Sequence, residues 1–324
     1  ALACAVSGIE ISDLTFDRVV NQLLTRLKTE GDLRVPVARI MLPTEPEKAA
    51  LILMEAMRDG GWSVRLAAAS ALVGVDLPMK SALATTLRDL ENSTRESTSA
   101  ALRQFGKSAL PTLFQLIRSG EAKDRRGAAW ALGELKETAG VPLLLEALRD
   151  PEDDVALDAA TALGRIKDTA SIPALMDSLE HQNMHVGRAA ARALGWLGKP
   201  ARDTLLQALS DTTSSTKKQV RVIQALSHIS DPTVAAALLN TTRHHHPDVR
   251  GAAVESLKYH KSAAAVKRLI ECLYDDAKPR WSRNRISDTA AIILEYIGTE
   301  EALRAVESWR KGDLPVSGSA PTTS

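Results

Sequence analysis

Six large side chains in the middle of the chain are the strongest candidates for recognition chemistry: Arg126, Trp130, Arg165, Arg188, Arg192 and Trp196. Arg126 and Trp130 are four residues apart, and so are Arg188, Arg192 and Trp196 in succession, so each set shares one face of a helix. Arginine presents a planar fork of N–H donors to carboxylates or phosphates. Tryptophan and arginine are also the residues that most often dominate interface energies. Such a set implies binding of an acidic partner rather than bond-breaking. For each tryptophan the alternative is that its ring covers a neighbouring stretch of the same chain. His228 and Tyr259 extend the candidate set. A second candidate is the segment Tyr274 to Arg285, where Lys278, Arg280, Arg283 and Arg285 surround Trp281. It suits an acidic partner as a loop, or its tryptophan plugs the end of a core.

Catalytic and metal chemistry finds less support. His244-His245-His246 precede Pro247, and three consecutive histidines cannot easily converge on one ion, so a solvated turn is expected. His181 and His185 straddle a turn. Asp153-Asp154 and Asp275-Asp276 fall where a carboxylate favourably meets a helix N-terminus. The chain has neither a phosphate-cradling glycine loop nor a Gly-x-Ser-x-Gly elbow. No cofactor or metal is expected.

The elements that position these residues follow from a repeat. Ala131-Leu132-Gly133, Ala162-Leu163-Gly164 and Ala193-Leu194-Gly195 belong to a series of leucines at 72, 102, 132, 163, 194, 226, 257 and 294. The steps are 30, 30, 31, 31, 32, 31 and 37 residues. A fixed period of this size means stacked supersecondary units rather than one closed core. Each period begins with a helix A of pattern Pro-x-Leu-x-x-Leu, as in Ile172 to Leu179, proline being well placed in a first turn. A polar turn leads to helix B, which ends at the Ala-Leu-Gly site. The spacing predicts pairs over 45–75, 77–106, 108–136, 138–167, 169–198, 199–230, 231–260 and 261–298, with no strands.

With the aligned leucine of helix B as position zero, positions −8, −4, −1, 0 and +3 form an apolar core face, as in Val155, Ala159, Ala162, Leu163 and Ile166. Position −7 holds Arg65, Arg95, Arg125 and Arg250, expected to stack between repeats and pair with turn carboxylates such as Asp248. Positions −6, −2 and +2 lie opposite the core. They give the columns Arg126-Trp130-Glu134, Leu157-Thr161-Arg165, Arg188-Arg192-Trp196, Val220-Gln224-His228, Gly251-Glu255-Tyr259 and Asp288-Ile292-Tyr296. The 37-residue step places the Lys278–Arg285 insertion in the last turn.

Composition sets bounds. Of the 324 residues 44% are hydrophobic but only 3% aromatic, so small side chains must line the helix contacts. The net charge of +1 provides no global field toward nucleic acid or membrane. Two cysteines, Cys4 and Cys272, exclude a disulfide framework and favour a reducing, cytoplasmic setting; Cys272 reads as a small core residue. No stretch is long enough for a membrane span. The opening Ala1-Leu2-Ala3-Cys4 loosely matches a lipoprotein cleavage box with its leucine out of register, and a trimmed or partial chain is expected instead. Residues 1–34 are expected to form an N-terminal helical cap, 35–298 the array, 299–312 a C-terminal cap helix and 313–324 a disordered tail.

The helix-B pattern Asp-x-x-Val-Arg followed by Ala-Ala-x-Ala-Leu-Gly-x-Ile resembles the HEAT repeat, in the short bacterial form named after phycobilisome (bilin) lyases. Pro247-Asp248-Val249-Arg250-Gly251-Ala252-Ala253 and Val64-Arg65-Leu66-Ala67-Ala68-Ala69 carry the likeness. The resemblance implies an all-α fold, a right-handed α-solenoid of about eight HEAT-like hairpins, whose B helices line a concave groove. It leaves activity open, because one fold hosts scaffolds, adaptors, chromophore lyases and DNA glycosylases. A non-catalytic scaffold or adaptor is expected, holding an acidic segment or helix of another protein in the groove. The alternatives are a bilin lyase-like factor acting with a partner subunit, and a DNA-glycosylase-like nucleic-acid binder.

Overall fold

The computed structural model describes residues 34–43, 45–59, 64, 67, 68, 71, 99, 102, 103, 105–211 and 213–313. The expected N-terminal cap, the arginines at 65 and 95, nearly all of the pair 77–106 and the tail after 313 lie outside them. Among the described residues the secondary structure is helical, without strands. The fold is an all-α solenoid of helical hairpins.

The chain divides into two compact units, Ala1–Ala162 and Leu163–Ser324. In the first, α1 (Arg34–Met41) packs on α2 (Pro46–Asp59), a helix ahead of the first expected pair. A 3-10 turn then leads into α3 (Leu110–Ser119), which packs on α4 (Ala122–Leu135). Next come α5 (Val141–Ala147) and α6 (Asp153–Ile166), within which the division falls. The second unit continues with α7 (Ile172–Ser178), α8 (Met184–Leu197), α9 (Lys199–Ser210), α10 (Thr216–Leu226), α11 (Pro232–Thr241) and α12 (Pro247–Ser256). It ends with α13 (Ala263–Cys272), α14 (Ile286–Ile297) and α15 (Glu300–Lys311).

Local chemistry explains the helix ends. Proline occupies the first turn of α3, α5, α7, α9, α11 and α12, where its missing N–H has no intrahelical role. Asn183, Ser215, Asp231, Ser262 and Thr299 each accept a backbone N–H at the start of α8, α10, α11, α13 and α15. Position +4 closes four B helices in a positive-φ conformation: Lys136 (φ 53°), Lys167 (φ 61°), Gly198 (φ 70°) and Gly298 (φ 72°). Glycine adopts it without strain, whereas the two lysines do not.

The aligned leucines carry the core: Leu132, Leu163, Leu194, Leu226, Leu257 and Leu294 are all 0% exposed. Leu132, Leu163 and Leu194 are followed by a glycine, and each of these glycines has a partner in the next repeat. A Cβ on Gly133 would lie 2.7 Å from the Cα and Cβ of Ala162, and one on Gly164 would lie 2.6 Å from the Cα of Ala193. On Gly195 it would meet the Ala225 carbonyl oxygen at 3.0 Å. In each case the alanine directly precedes the next aligned leucine, so each Ala-Leu-Gly motif mates with the Ala-Leu step of the next repeat. In the second unit α8, α10, α12 and α14 pack on one another in series, more extensively than α9, α11 and α13 do. The B helices therefore form the tighter, inner layer of that unit.

Candidate functional site

In the first unit the candidate residues are already engaged. Arg126 Nε donates to Asp158 Oδ2 at 2.9 Å, and its Nη1 lies 3.6 Å from Asp154. Trp130 is only 4% exposed. It corrects the expectation of an anchor on an open face: the ring is a packing residue, the alternative reading of its position. Glu134, in the same column, accepts from Ser99 Oγ at 2.8 Å.

The position −7 arginines pair with carboxylates, but in a different register from the one expected. Arg125 is bidentate to Asp150 (2.7 and 2.8 Å) and Arg250 to Asp275 (2.8 and 3.2 Å). In both cases the aspartate is 25 residues on, in the turn of the next repeat. Each guanidinium also holds a carbonyl before its own helix, Gly120 O or His244 O and His245 O. The Arg125 hydrogen bond to Asp150 raises the guanidinium's pKa. Burial pushes Asp150 up, but hydrogen bonds from Arg125 and the Glu152 N–H outweigh it and hold the carboxylate below its usual range. These pairs are structural.

Asp248, the expected partner, is taken by the insertion instead. Arg280 donates to it through its backbone N–H (2.7 Å) and Nε (2.9 Å). Trp281 Nε1 reaches the Asp248 carbonyl at 3.4 Å. Pro279 is buried against Gly251, and Ile286 and Ser287 donate back to Ala277 O and Asp275 O, both at 2.9 Å. The segment is thus a strap folded over the start of α12. Trp281 stays 39% exposed, so it plugs no core. Of the strap's cations, Arg280 and Arg285 bind Asp248 and Asp276, while Lys278 and Arg283 are exposed.

What the second unit leaves open is a row at position +2: Trp196, His228, Tyr259 and Tyr296, on α8, just after α10, just after α12 and on α14. Trp196 is half-buried, its ring edge where a Cβ on Gly164 would lie (2.9 Å). His228 rests on Gly195 in the same way, also at 2.9 Å. The His228 and Tyr259 rings are 6.0 Å apart. Tyr259 is 53% exposed, Tyr296 66% and Ile292 beside it 54%. Cations flank the row: Arg192 lies 5.8 Å from the Trp196 ring, Lys258 4.8 Å from Tyr259 and Lys261 4.2 Å from Tyr296. Arg188 and Arg192 are exposed, and Arg165 is half-buried. The His228 imidazole is held below its usual pKa, first by desolvation where it rests on α8, then by Arg192 and Lys258. Ile292, Tyr296, Lys258 and Lys261 were missing from the sequence-derived site. The first two were legible in their column, whereas the lysines fall outside positions −6, −2 and +2.

The histidine run behaves as a turn: His246 Nδ1 accepts from Asp248 N and His244 Nδ1 from His246 N, both at 3.1 Å. Among the described residues no cluster of three or more His, Cys, Asp or Glu could hold a metal ion, and no helix is long and apolar enough to cross a membrane. Cys272 is buried, as expected, and burial pushes its thiol up to about 11.

Comparison with known proteins agrees with this architecture. A family model described as HEAT repeats matches residues 79–161, 141–219 and 202–287. No curated protein matches the chain significantly. Among solved structures, Kap95p in its complex with RanGDP is similar with a TM-score of 0.52 and 12% identity. The match covers 91% of this chain and 46% of that one, and shows the fold alone. The complex of CpcE and CpcF of phycocyanin lyase from Nostoc sp. PCC7120 matches at TM-score 0.33 and 22% identity, over 82% of this chain and 94% of that one. Human deoxyhypusine hydroxylase matches at 0.28 and 18%, over 86% and 92%. The family matches run over most of the array, through both units, and the chain belongs to the HEAT-repeat family.

Proposed function

We propose that the protein is a scaffold or adaptor that binds another protein on the inner, B-helix face of its second unit. The observation that carries this reading is the open row Trp196, His228, Tyr259 and Tyr296, with Ile292 beside it. Exposed aromatic and aliphatic side chains in line across successive helices cost solubility unless a partner covers them. The charges specify the partner. Each carboxylate near the row is engaged: Glu255 with Lys258 (3.8 Å), Glu295 with Arg310 (2.8 Å) and Asp288 with the Arg285 N–H (3.0 Å). Arg188 and Arg192 make no ion pair among the described residues. An acidic segment with apolar side chains complements that balance.

Site-specific photo-cross-linking tests the proposal. A cross-linker at Ile292 captures the partner from host extract, one at Ala236 on α11 does not, and Tyr259→Ala/Tyr296→Ala abolishes the Ile292 product. Equal capture from both positions, or capture indifferent to the double substitution, removes the row as the binding face.

A further inference from the structure

The seam between α8 and α10 is rich in cations, and Glu180 is the carboxylate that acts on Arg221 there. Arg188 and Arg192 stand one turn apart on α8, both exposed. Across the seam, Arg221 of α10 is 5% exposed and occupies the space over Gly187 that a side chain would fill. It donates to the carbonyls of Leu179 and His181 and pairs with no carboxylate among the described residues. His228 closes the far end of the seam on Gly195, one turn from Arg192 along α8. The remaining titratable groups around the seam are Glu180 after α7, Lys217 and Lys218 at the start of α10, His185 on α8, and Glu255 and Lys258 from α12. Glu180 accepts from Ser215 Oγ at 2.6 Å, and Lys217 donates to His181 O at 2.7 Å. Glu255 is occupied by Lys258.

We infer that this seam is a carboxylate-binding subsite, in which Arg188 and Arg192, with His228 beside them, hold acidic side chains of the bound segment. The inference rests on the protein-binding reading and assigns the charged end of that face. Three observations support it. Two guanidiniums four residues apart on one helix face offer forks to carboxylates of neighbouring residues. Arg192 is oriented by the Trp196 ring, which reduces the freedom lost on binding. The cations also repel one another: Arg221 is lowered by burial and then by Arg188, with Glu180 opposing, and His228 by desolvation and then by Arg192 and Lys258. An anion relieves that repulsion, so its binding raises the His228 pKa and strengthens as pH falls.

The test uses fluorescein-labelled hexaglutamate as probe, hexaglutamine as neutral control and a glycine-flanked phosphoserine peptide as a third arm, read by anisotropy. Hexaglutamate binds the full chain, and Arg188→Gln/Arg192→Gln weakens it by about tenfold or more, since hydrogen bonds to charged groups are the strong ones. Arg243→Gln/Arg304→Gln, whose partners Glu271 and Glu300 lie away from the row, leaves affinity unchanged. The His228 proton resonance, identified by its loss in His228→Gln, titrates at higher pH when the probe is bound. Both pairs of arginines are on the surface, and circular dichroism checks that the variants fold. Equal affinity of the α8 variant, equal binding of hexaglutamine, an unmoved His228 titration or binding of the phosphoserine peptide alone overturns the subsite. Cross-linking from Ile292 separates the two proposals. If capture is lost in Tyr259→Ala/Tyr296→Ala but unchanged in the arginine variant, the subsite falls and the binding face stands. If neither variant alters capture, both fall.

Discussion

The sharpest stability prediction concerns Gly164, where the smallest substitution separates backbone from side-chain contact. A Cβ at Gly164 would lie 2.6 Å from the Cα of Ala193, 2.7 Å from its Cβ and 2.9 Å from Trp196 Cε3. These are about 1 Å inside ordinary contact distance, so α8 must move relative to the preceding B helix. Overpacking of this kind costs about 1–3 kcal/mol. Alanine in place of a helical glycine returns roughly 1 kcal/mol of that, so Gly164→Ala should lose up to about 2 kcal/mol net. A second substitution, Ala193→Gly, tests the cause. It removes the methyl group but leaves the Cα at 2.6 Å, so it should not rescue; it adds its own loss of about 1 kcal/mol in helix propensity. Urea denaturation followed by circular dichroism at 222 nm reads all four corners of the cycle, and near-additive losses are expected. Full recovery in the double variant would mean that only the methyl groups clash. A stabilised Gly164→Ala would refute the close backbone approach itself.

Gly133→Leu should lose more, over about 3 kcal/mol in thermal melts, because its branched side chain meets the same kind of backbone wall at Ala162. Lys136→Gly and Lys167→Gly should each stabilise by up to about 1 kcal/mol, since both lysines hold positive φ; a loss would indicate that their side chains matter more than their backbone. Trp130→Ala should cost about 3–5 kcal/mol, whereas Tyr296→Ala should stay within about 0.5 kcal/mol, a contrast set by 4% against 66% exposure. Acidification should destabilise the fold. The His260 imidazole is held below its usual pKa by burial, and its Nε2 is buried without a hydrogen-bond partner. The unfolded chain therefore binds the extra proton first, and stability falls as pH drops below about 6.5 toward the depressed folded pKa. His260→Gln should flatten that part of the stability–pH curve, and an unchanged slope would place the titration elsewhere.

Much of the fold was legible because the motif is made of contacts rather than composition alone. The aligned leucines are the core, and the alanines before Leu163, Leu194 and Leu226 meet the glycine of the preceding repeat, so the period reports the stacking directly. The starts of the A helices followed from first-turn prolines. The faces were less transparent. Position +2 was read correctly as outward for Tyr259 and Tyr296, but Trp130 at −2 is buried, because what covers a ring depends on neighbours far along the chain. Gly251 at −6 belongs to an outward column, yet Pro279 of the strap sits on it. The strap's Arg280 holds Asp248, while Arg250 takes Asp275 in the register that Arg125 also uses with Asp150. The 25-residue interval shared by Arg125–Asp150 and Arg250–Asp275 was present in the chain as a signal. Position +3, read as core, is only half-buried at Leu135, Ile166 and Ile297, where the last turn of the B helix reaches the edge of the layer.

The glycine–alanine seam also has a mechanical consequence for the second unit. Where Gly164 meets Ala193 and Gly195 meets Ala225, the helices touch through main-chain atoms, which have no rotamers with which to yield. The A helices behind them pack on one another less extensively. Under load the unit should therefore flex about the seam as a line of fulcra, its outer layer opening while its inner spacing stays fixed. The distance between Trp196 and His228 along the row is then the stiffest dimension of the unit. A partner that spans these two rings meets a ruler of constant pitch, and curvature can change around it without altering the marks.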